Sequence, residues 1–151
     1  VSVSSCKLRA GRASEKGGYY LLTSCCRNRV AFFSDPDSAQ IVLSCARWLD
    51  QHQAIDLKAV VVMPDHVHLV LGLQSFSLSQ IMHRFKSYTS HAIAKAATTD
   101  GGIWQAGYHD RGIRDESALR AQVEYCLLNP VRSGLVRDFR DYPYWWCCWE
   151  V

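Results

Sequence analysis

Apolar and polar positions alternate along the chain in blocks whose periods predict strands and helices in turn. Tyr19 to Cys25, a β-branched and aromatic-rich run after Gly17-Gly18, reads as a first strand. From about Asp37 to Gln53, the residues Ile41, Cys45, Trp48, Leu49 and His52 recur at helical spacing, which predicts a helix with one buried stripe. Leu57 to Met63 and His66 to Leu73 are separated only by Pro64-Asp65, a tight-turn pair, so these two strands are expected to form a hairpin. Ser77 and Gln80 have the spacing of a capping box. Leu78, Ile81, Met82, Phe85 and Thr89 mark the inner face of the helix they open, which is expected to end before Gly101-Gly102. A short, weakly patterned strand is expected around Ile103 to Ile113. The last helix starts near Asp115-Glu116, acids suited to the positive end of a helix dipole. It is expected to end at Asn129, because Pro130 disfavours helical geometry in the residue before it.

The order strand, helix, strand, strand, helix, strand, helix predicts an α+β fold. It is that of the ferredoxin-like split βαβ, an antiparallel sheet with helices on one face plus a C-terminal helix. A length of 151 residues predicts one domain. Residues 1–18 read as a flexible basic N-terminal arm, 19–137 as the domain, and 138–151 as an aromatic tail packed on it. With 48% apolar and 21% charged residues, the composition excludes a disordered or fibrous chain. No apolar run approaches the roughly 18 residues of a membrane span. The polar, basic start carries no secretory stretch, so a cytoplasmic protein with reduced thiols is expected. None of the seven cysteines forms a C-x-x-C pair, so neither a zinc ribbon nor a dithiol redox centre is signalled. The formal net charge of +3 says little, but basic residues cluster at Lys7, Arg9, Arg12 and Lys16, at Arg27 and Arg29, and at Arg84 and Lys86.

The sharpest chemical feature is His66-Val67-His68 in the second hairpin strand. Strand side chains alternate, so both imidazoles share one face, roughly 6.5–7 Å apart by strand rise, while Val67, Leu69 and Leu71 take the other. Such a pair either converges on a divalent ion or simply lies on an exposed sheet face. In the last helix, Leu119, Val123, Cys126 and Leu127 form the apolar stripe. With Val123 at zero and about 100° per residue, Tyr125 falls near 200°, Asn129 near 240° and Gln122 near 260°. Tyr125 and Asn129 therefore stack one turn apart, away from the helix's own core seam.

Met63-Pro64-Asp65-His66-Val67-His68 resembles the HUH motif (His, hydrophobic, His) of single-tyrosine transposases. Three further segments resemble the REP-associated tyrosine transposases in particular. They are Leu22 to Arg29 with its Arg-Asn-Arg; Ile103-Trp104-Gln105 through Tyr108, His109, Ile113 and Arg114; and Tyr125 through Asn129-Pro130-Val131 with Gly134-Leu135-Val136. Asp141-Tyr142-Pro143 fits as well, so the likeness runs from Tyr19 almost to the end.

The resemblance implies that His66, His68 and Asn129 ligate a divalent metal and that Tyr125 is the nucleophile; mixed nitrogen and oxygen donors suit Mg²⁺ or Mn²⁺ better than structural zinc. It further implies cleavage of single-stranded DNA beside a hairpin through a covalent 5′-phosphotyrosine, leaving a 3′-hydroxyl that can reverse the step. Arg27, Arg29, Trp104, Arg114 and Arg132 are candidate DNA contacts through phosphate pairing or stacking. Tyr88 and Tyr108 are rival tyrosines read more simply as packing or contact residues, and His83, His91 and His109 have no partner spacing. No membrane is implied, and monomer and homodimer both stay open. A non-catalytic nucleic-acid-binding module on the same fold is the main alternative. A phosphodiesterase using metal-activated water is a third reading.

Overall fold

The structure is a computed structural model describing residues 17–97 and 102–151. Residues 1–16 of the expected basic arm, and the expected stop of the second helix before Gly101, lie outside the described residues. The elements are β1 (Tyr19–Cys25), α1 (Pro36–Gln51), β2 (Ile55–Met63), β3 (His66–Leu73), α2 (Leu78–Ala97), β4 (His109–Ile113), α3 (Glu116–Leu127), α4 (Asn129–Arg132) and β5 (Trp145–Cys147). The strands form one antiparallel sheet ordered β4-β1-β3-β2-β5, the expected ferredoxin-like arrangement with one added edge strand. None of the described helices is long and apolar enough to cross a membrane.

Two hydrophobic clusters, one per sheet face, follow from strand alternation. Tyr20, Leu22, Val60, Val62, Val67, Leu69 and Leu71 face α1 and α2, where Phe85, Ile81 and Met82 are buried. Ala59, Val61, Met63 and Val70 face α3 and the C-terminal segment, meeting Val123, Cys126, Leu127 and Tyr142. The first two helices thus share a face, and the C-terminal helix covers the other.

Helix ends follow side-chain capping. Asp35 accepts from the Ser38 amide at 3.2 Å and starts α1 slightly earlier than the apolar pattern alone suggests. Ser77 and Gln80 form the expected reciprocal box, at 3.2 and 2.9 Å. Three expectations change. The buried face of α1 is Ala39, Val42, Leu43, Cys45, Ala46 and Leu49, while Trp48 is 54% exposed and stacks on His52 with ring centroids 3.9 Å apart. The small side chains at 39, 42 and 46 let the helix approach the sheet, and Trp48 is left at its rim. The segment 103–113 yields a strand only from His109, because Gly107 turns the chain at φ 76° and Lys86 donates to the carbonyls of Gln105 and Gly107. Finally, α3 stops at Leu127, and Asn129 opens the separate turn α4, which begins at Pro130's helix-starting position.

At the opposite end of β1 from the histidines, Tyr19 lies over Gly72, where an added Cβ would come within 2.6 Å of its ring. Its hydroxyl donates to Asp56 Oδ2 at 2.5 Å. That hydrogen bond, then burial, then the Asp56 charge push the phenol up to about 12. A raised folded-state value means stability fully present below the ordinary value of about 10 and lost as pH climbs through 12. Alkaline denaturation followed by circular dichroism is expected to show a smaller loss over this range in Tyr19→Phe than in the wild type, the remainder coming from the buried Tyr142 phenol, which burial also pushes up to about 12. At neutral pH that variant should be about 1 kcal/mol less stable.

Candidate active site

His66 and His68 open β3 directly after the Pro64-Asp65 turn, and their rings leave the sheet on the α3 side, with centroids 4.8 Å apart at 81°. Each ring is held at one nitrogen. Asp65 Oδ1 lies 2.8 Å from His66 Nδ1, and its other oxygen accepts from Arg29 Nε at 3.0 Å. Burial works to raise the Asp65 carboxyl, but its hydrogen bonds to His66 and Arg29 prevail and hold it below the usual range. An ionised carboxylate only accepts, so His66 Nδ1 carries the hydrogen and a neutral ring presents Nε2 as a lone pair. That Nε2 lies 3.4 Å from the Asn129 side-chain amide. His68 Nδ1 is hydrogen-bonded to Thr23 Oγ1 at 2.9 Å, Thr23 being its register partner on β1. Burial first, then the charges of His66 and Arg132, push His68 down to about 3, so this imidazole is neutral at ordinary pH.

The Arg-Asn-Arg turn builds the support for His66. Asn28 and Arg29 both adopt φ 55°, a left-handed pair that asparagine tolerates and arginine rarely adopts. The turn is fixed by the Cys26 amide donating to the Asp65 carbonyl at 2.8 Å, which sets Arg29 beside the carboxylate.

Tyr125 projects from α3 with 53% of its surface exposed, away from the buried Leu119, Val123, Cys126 and Leu127. It lines a cleft of about 440 Å³ together with Thr23, His68, His109, Arg111 and Arg132. Gln122, one turn earlier on α3, also reaches this cleft. The Arg132 guanidinium lies 3.8 Å from the Tyr125 ring centroid and donates to the Tyr125 carbonyl at 2.6 Å. His66, His68, Asn129, Tyr125 and Arg132 thus gather on one side of the sheet at its β3 start.

The other expected DNA contacts are dispersed. Arg27 is exposed, its guanidinium beside Gly102 and its amide on the Ile103 carbonyl at 2.8 Å. Trp104 is half-buried, 5.2 Å from Phe33 and 5.9 Å from Phe85 between ring centroids, and its indole nitrogen donates to Thr89 at 2.9 Å. Arg114 is exposed and 3.6 Å from Asp115, the cap of α3. The supporting residues Asp65 and Thr23, and His109 and Arg111 in the cleft, were not signalled by sequence spacing. His109 became legible only through β4, whose register sets it opposite Thr23.

Among the described residues no trio of His, Cys, Asp or Glu is grouped to hold a metal ion. A cation at the two imidazoles would therefore need a different third donor: Asn129 approaches His66 Nε2 with its Nδ2, and its carbonyl oxygen, which accepts from Ser133 Oγ at 3.5 Å, would ligate once the amide is turned over. The anchored outer nitrogens are the usual support for histidine ligands, so the residues fit such an ion.

A family model described as transposase IS200-like matches residues 14–125. The REP-associated tyrosine transposase of Escherichia coli K12 is 26% identical over 131 residues, 85% of this chain and 76% of its own. A Haemophilus influenzae relative is 25% identical over 140 residues, 85% of this chain and 79% of its own. Among solved structures, a REP-associated tyrosine transposase bound to a REP hairpin superposes with a TM-score of 0.73 at 26% identity, covering 89% of this chain and 79% of that one.

Proposed function

We propose, from the premise that this chain belongs to the IS200-like transposase family, that it cleaves and rejoins single-stranded DNA beside a hairpin. Tyr125 acts as the nucleophile, and His66, His68 and Asn129 hold Mg²⁺ or Mn²⁺. The observation that carries this reading is the shared cleft of Tyr125 and His68, with His66 turned to Asn129 behind it. A hairpin is the substrate class because the structural relative was solved on one.

The chemistry is a balanced exchange of esters. The Tyr125 hydroxyl gives up its proton as its oxygen bonds phosphorus, the bond to the 3′-oxygen breaks, and a proton returns to the released 3′-hydroxyl. Attack by that hydroxyl reverses each bond and rejoins strands without nucleotide energy. A phenol with an ordinary value of about 10 is a poor nucleophile at neutral pH, so the phosphate it attacks must be neutralised and aligned. A bound divalent ion supplies Lewis-acid polarisation of the phosphate oxygen. The chain's own part is to hold two imidazoles by their Nδ1 atoms, to keep Tyr125 off the core seam, and to surround the cleft with Arg111, Arg132 and His109.

Incubating the protein with a hairpin oligonucleotide and Mg²⁺ or Mn²⁺ tests this, with a protein–DNA adduct that survives denaturing gels as the expected product. Hairpin binding without any cleavage would favour a non-catalytic module, and cleavage without an adduct would favour a metal-activated water.

The ligand set also predicts the metal affinity. Two imidazoles and an amide bring no charge, and Asp65, the acid behind His66, is offset by Arg29. Without DNA phosphate, calorimetric titration of Mn²⁺ is expected to give a dissociation constant on the order of millimolar or weaker, tightening when hairpin DNA is present. Tight binding to the DNA-free protein would contradict the assigned ligands.

A further inference from the structure

We infer that Arg132 is the positioning residue of the tyrosine nucleophile, its guanidinium holding the Tyr125 ring over the cleft that His68 lines. The inference rests on the reading of Tyr125 as nucleophile. A reacting oxygen must meet phosphorus in line at about 3–3.5 Å, and an exposed tyrosine on a helix surface samples several rotamers. Tyr125 is such a residue, more than half exposed and pointing away from the packed stripe of α3. Something outside α3 has to fix it.

Arg132 does so at two points of the same residue. It lies over the ring, 3.8 Å from the centroid, and donates to the Tyr125 carbonyl at 2.6 Å. That carbonyl is one of the four that the end of a helix leaves for other donors. A planar guanidinium can span ring face and carbonyl together, which a lysine ammonium cannot. Stacking alone would not single the pair out, since Arg84 lies over Phe76 and Arg120 over Trp149 in the same way. What distinguishes Arg132 is the bond to its ring partner's own backbone and its seat in the cleft with His68.

The anchor is tied into the backbone. The Arg132 amide donates to the Leu128 carbonyl at 3.0 Å, and the turn after α4 is closed by Leu135 donating to Pro130 at 2.9 Å, with Gly134 at φ 76°. Asn129 and Arg132 are the two ends of this four-residue helix, so one element sets both the amide beside His66 and the clamp on the phenol.

The test uses Arg132→Ala and Arg132→Lys in the full chain, with wild type and Tyr125→Phe alongside. Three quantities are read: the single-turnover rate of adduct formation at saturating hairpin with Mn²⁺, hairpin affinity in chelator, and the fluorine NMR line of Tyr125 in 3-fluorotyrosine-labelled protein without DNA or metal. Tyr125→Phe assigns that line. Arg132→Ala is expected to lower the rate at saturating hairpin roughly 10- to 100-fold, over and above any loss of hairpin affinity from the missing charge, and to shift and narrow the Tyr125 line as the ring is released. Arg132→Lys, which keeps charge and stem but not the planar fork, should fall between, and millimolar guanidinium should partly restore the Ala variant. An unchanged rate, a loss confined to affinity, or an unmoved Tyr125 line would overturn the inference. Should the Ala variant not fold, the Lys variant decides by the same three readings. If the wild type itself forms no adduct, the nucleophile assignment fails, and the fluorine line still decides whether Arg132 holds the ring.

Discussion

Replacing Tyr125 with phenylalanine is expected to remove the covalent protein–DNA product, by at least about 1,000-fold in rate, which corresponds to about 4 kcal/mol of barrier. The substitution deletes one oxygen from a side chain already 53% exposed, so thermal stability should move by less than about 0.5 kcal/mol. The ring that Arg132 covers is retained, so the local geometry of α3 and α4 should persist. Hairpin affinity should therefore change by no more than about twofold, because nothing in the binding surface is lost except a hydroxyl. Tyr88→Phe and Tyr108→Phe are the controls. Tyr88 is 61% exposed but lines a groove between α1 and α2, across the sheet from the histidines. Tyr108 lines a separate cleft with Lys86 and Trp104. An adduct that survives Tyr125→Phe and disappears with either control would take Tyr125 out of the chemistry.

Elements whose signal is local were the most legible in the sequence. The capping box at Ser77 and Gln80 and the five inner positions of α2 could be read directly, because both arise from neighbours one turn apart. The Pro64-Asp65 hairpin was legible for the same reason, and with it the shared face of His66 and His68. The stripe of α1 was misread at Trp48 and His52. A helix packed on a sheet chooses its inner face by how closely it can approach, and Ala39, Val42 and Ala46 won over the larger apolar side chain. The break between α3 and α4 was signalled by Pro130, but a single restarted turn that carries both Asn129 and Arg132 was not. Least legible were the supports of the site. Asp65 reads as a turn residue until the left-handed Asn28-Arg29 turn brings a guanidinium to its far oxygen. Thr23 has no distinguishing neighbour in the chain and acquires its meaning from lying opposite His68 in the sheet register.

Removing either imidazole is expected to be as damaging as removing the phenol, but through a different signature. His66→Ala and His68→Ala should each reduce adduct formation to the level of chelated wild-type protein, while hairpin binding in chelator stays intact. Because the three proposed ligands would all be neutral donors, neither amide nor remaining ring could compensate by charge, and raising Mn²⁺ concentration should recover little. Asp65→Asn separates support from ligation. It keeps the shape of the turn but replaces a pure acceptor by a group that can also donate, so His66 is no longer forced to carry its hydrogen on Nδ1. Loss of such a supporting partner typically costs 10- to 100-fold in metal affinity, so this variant should lose about that much activity and regain most of it at high Mn²⁺. The contrast between recoverable Asp65→Asn and unrecoverable His66→Ala is the decisive reading. Full adduct formation by either histidine variant, at ordinary metal concentration and with an unchanged melting curve, would show that the paired imidazoles are surface residues of the sheet and that the phosphate is activated elsewhere.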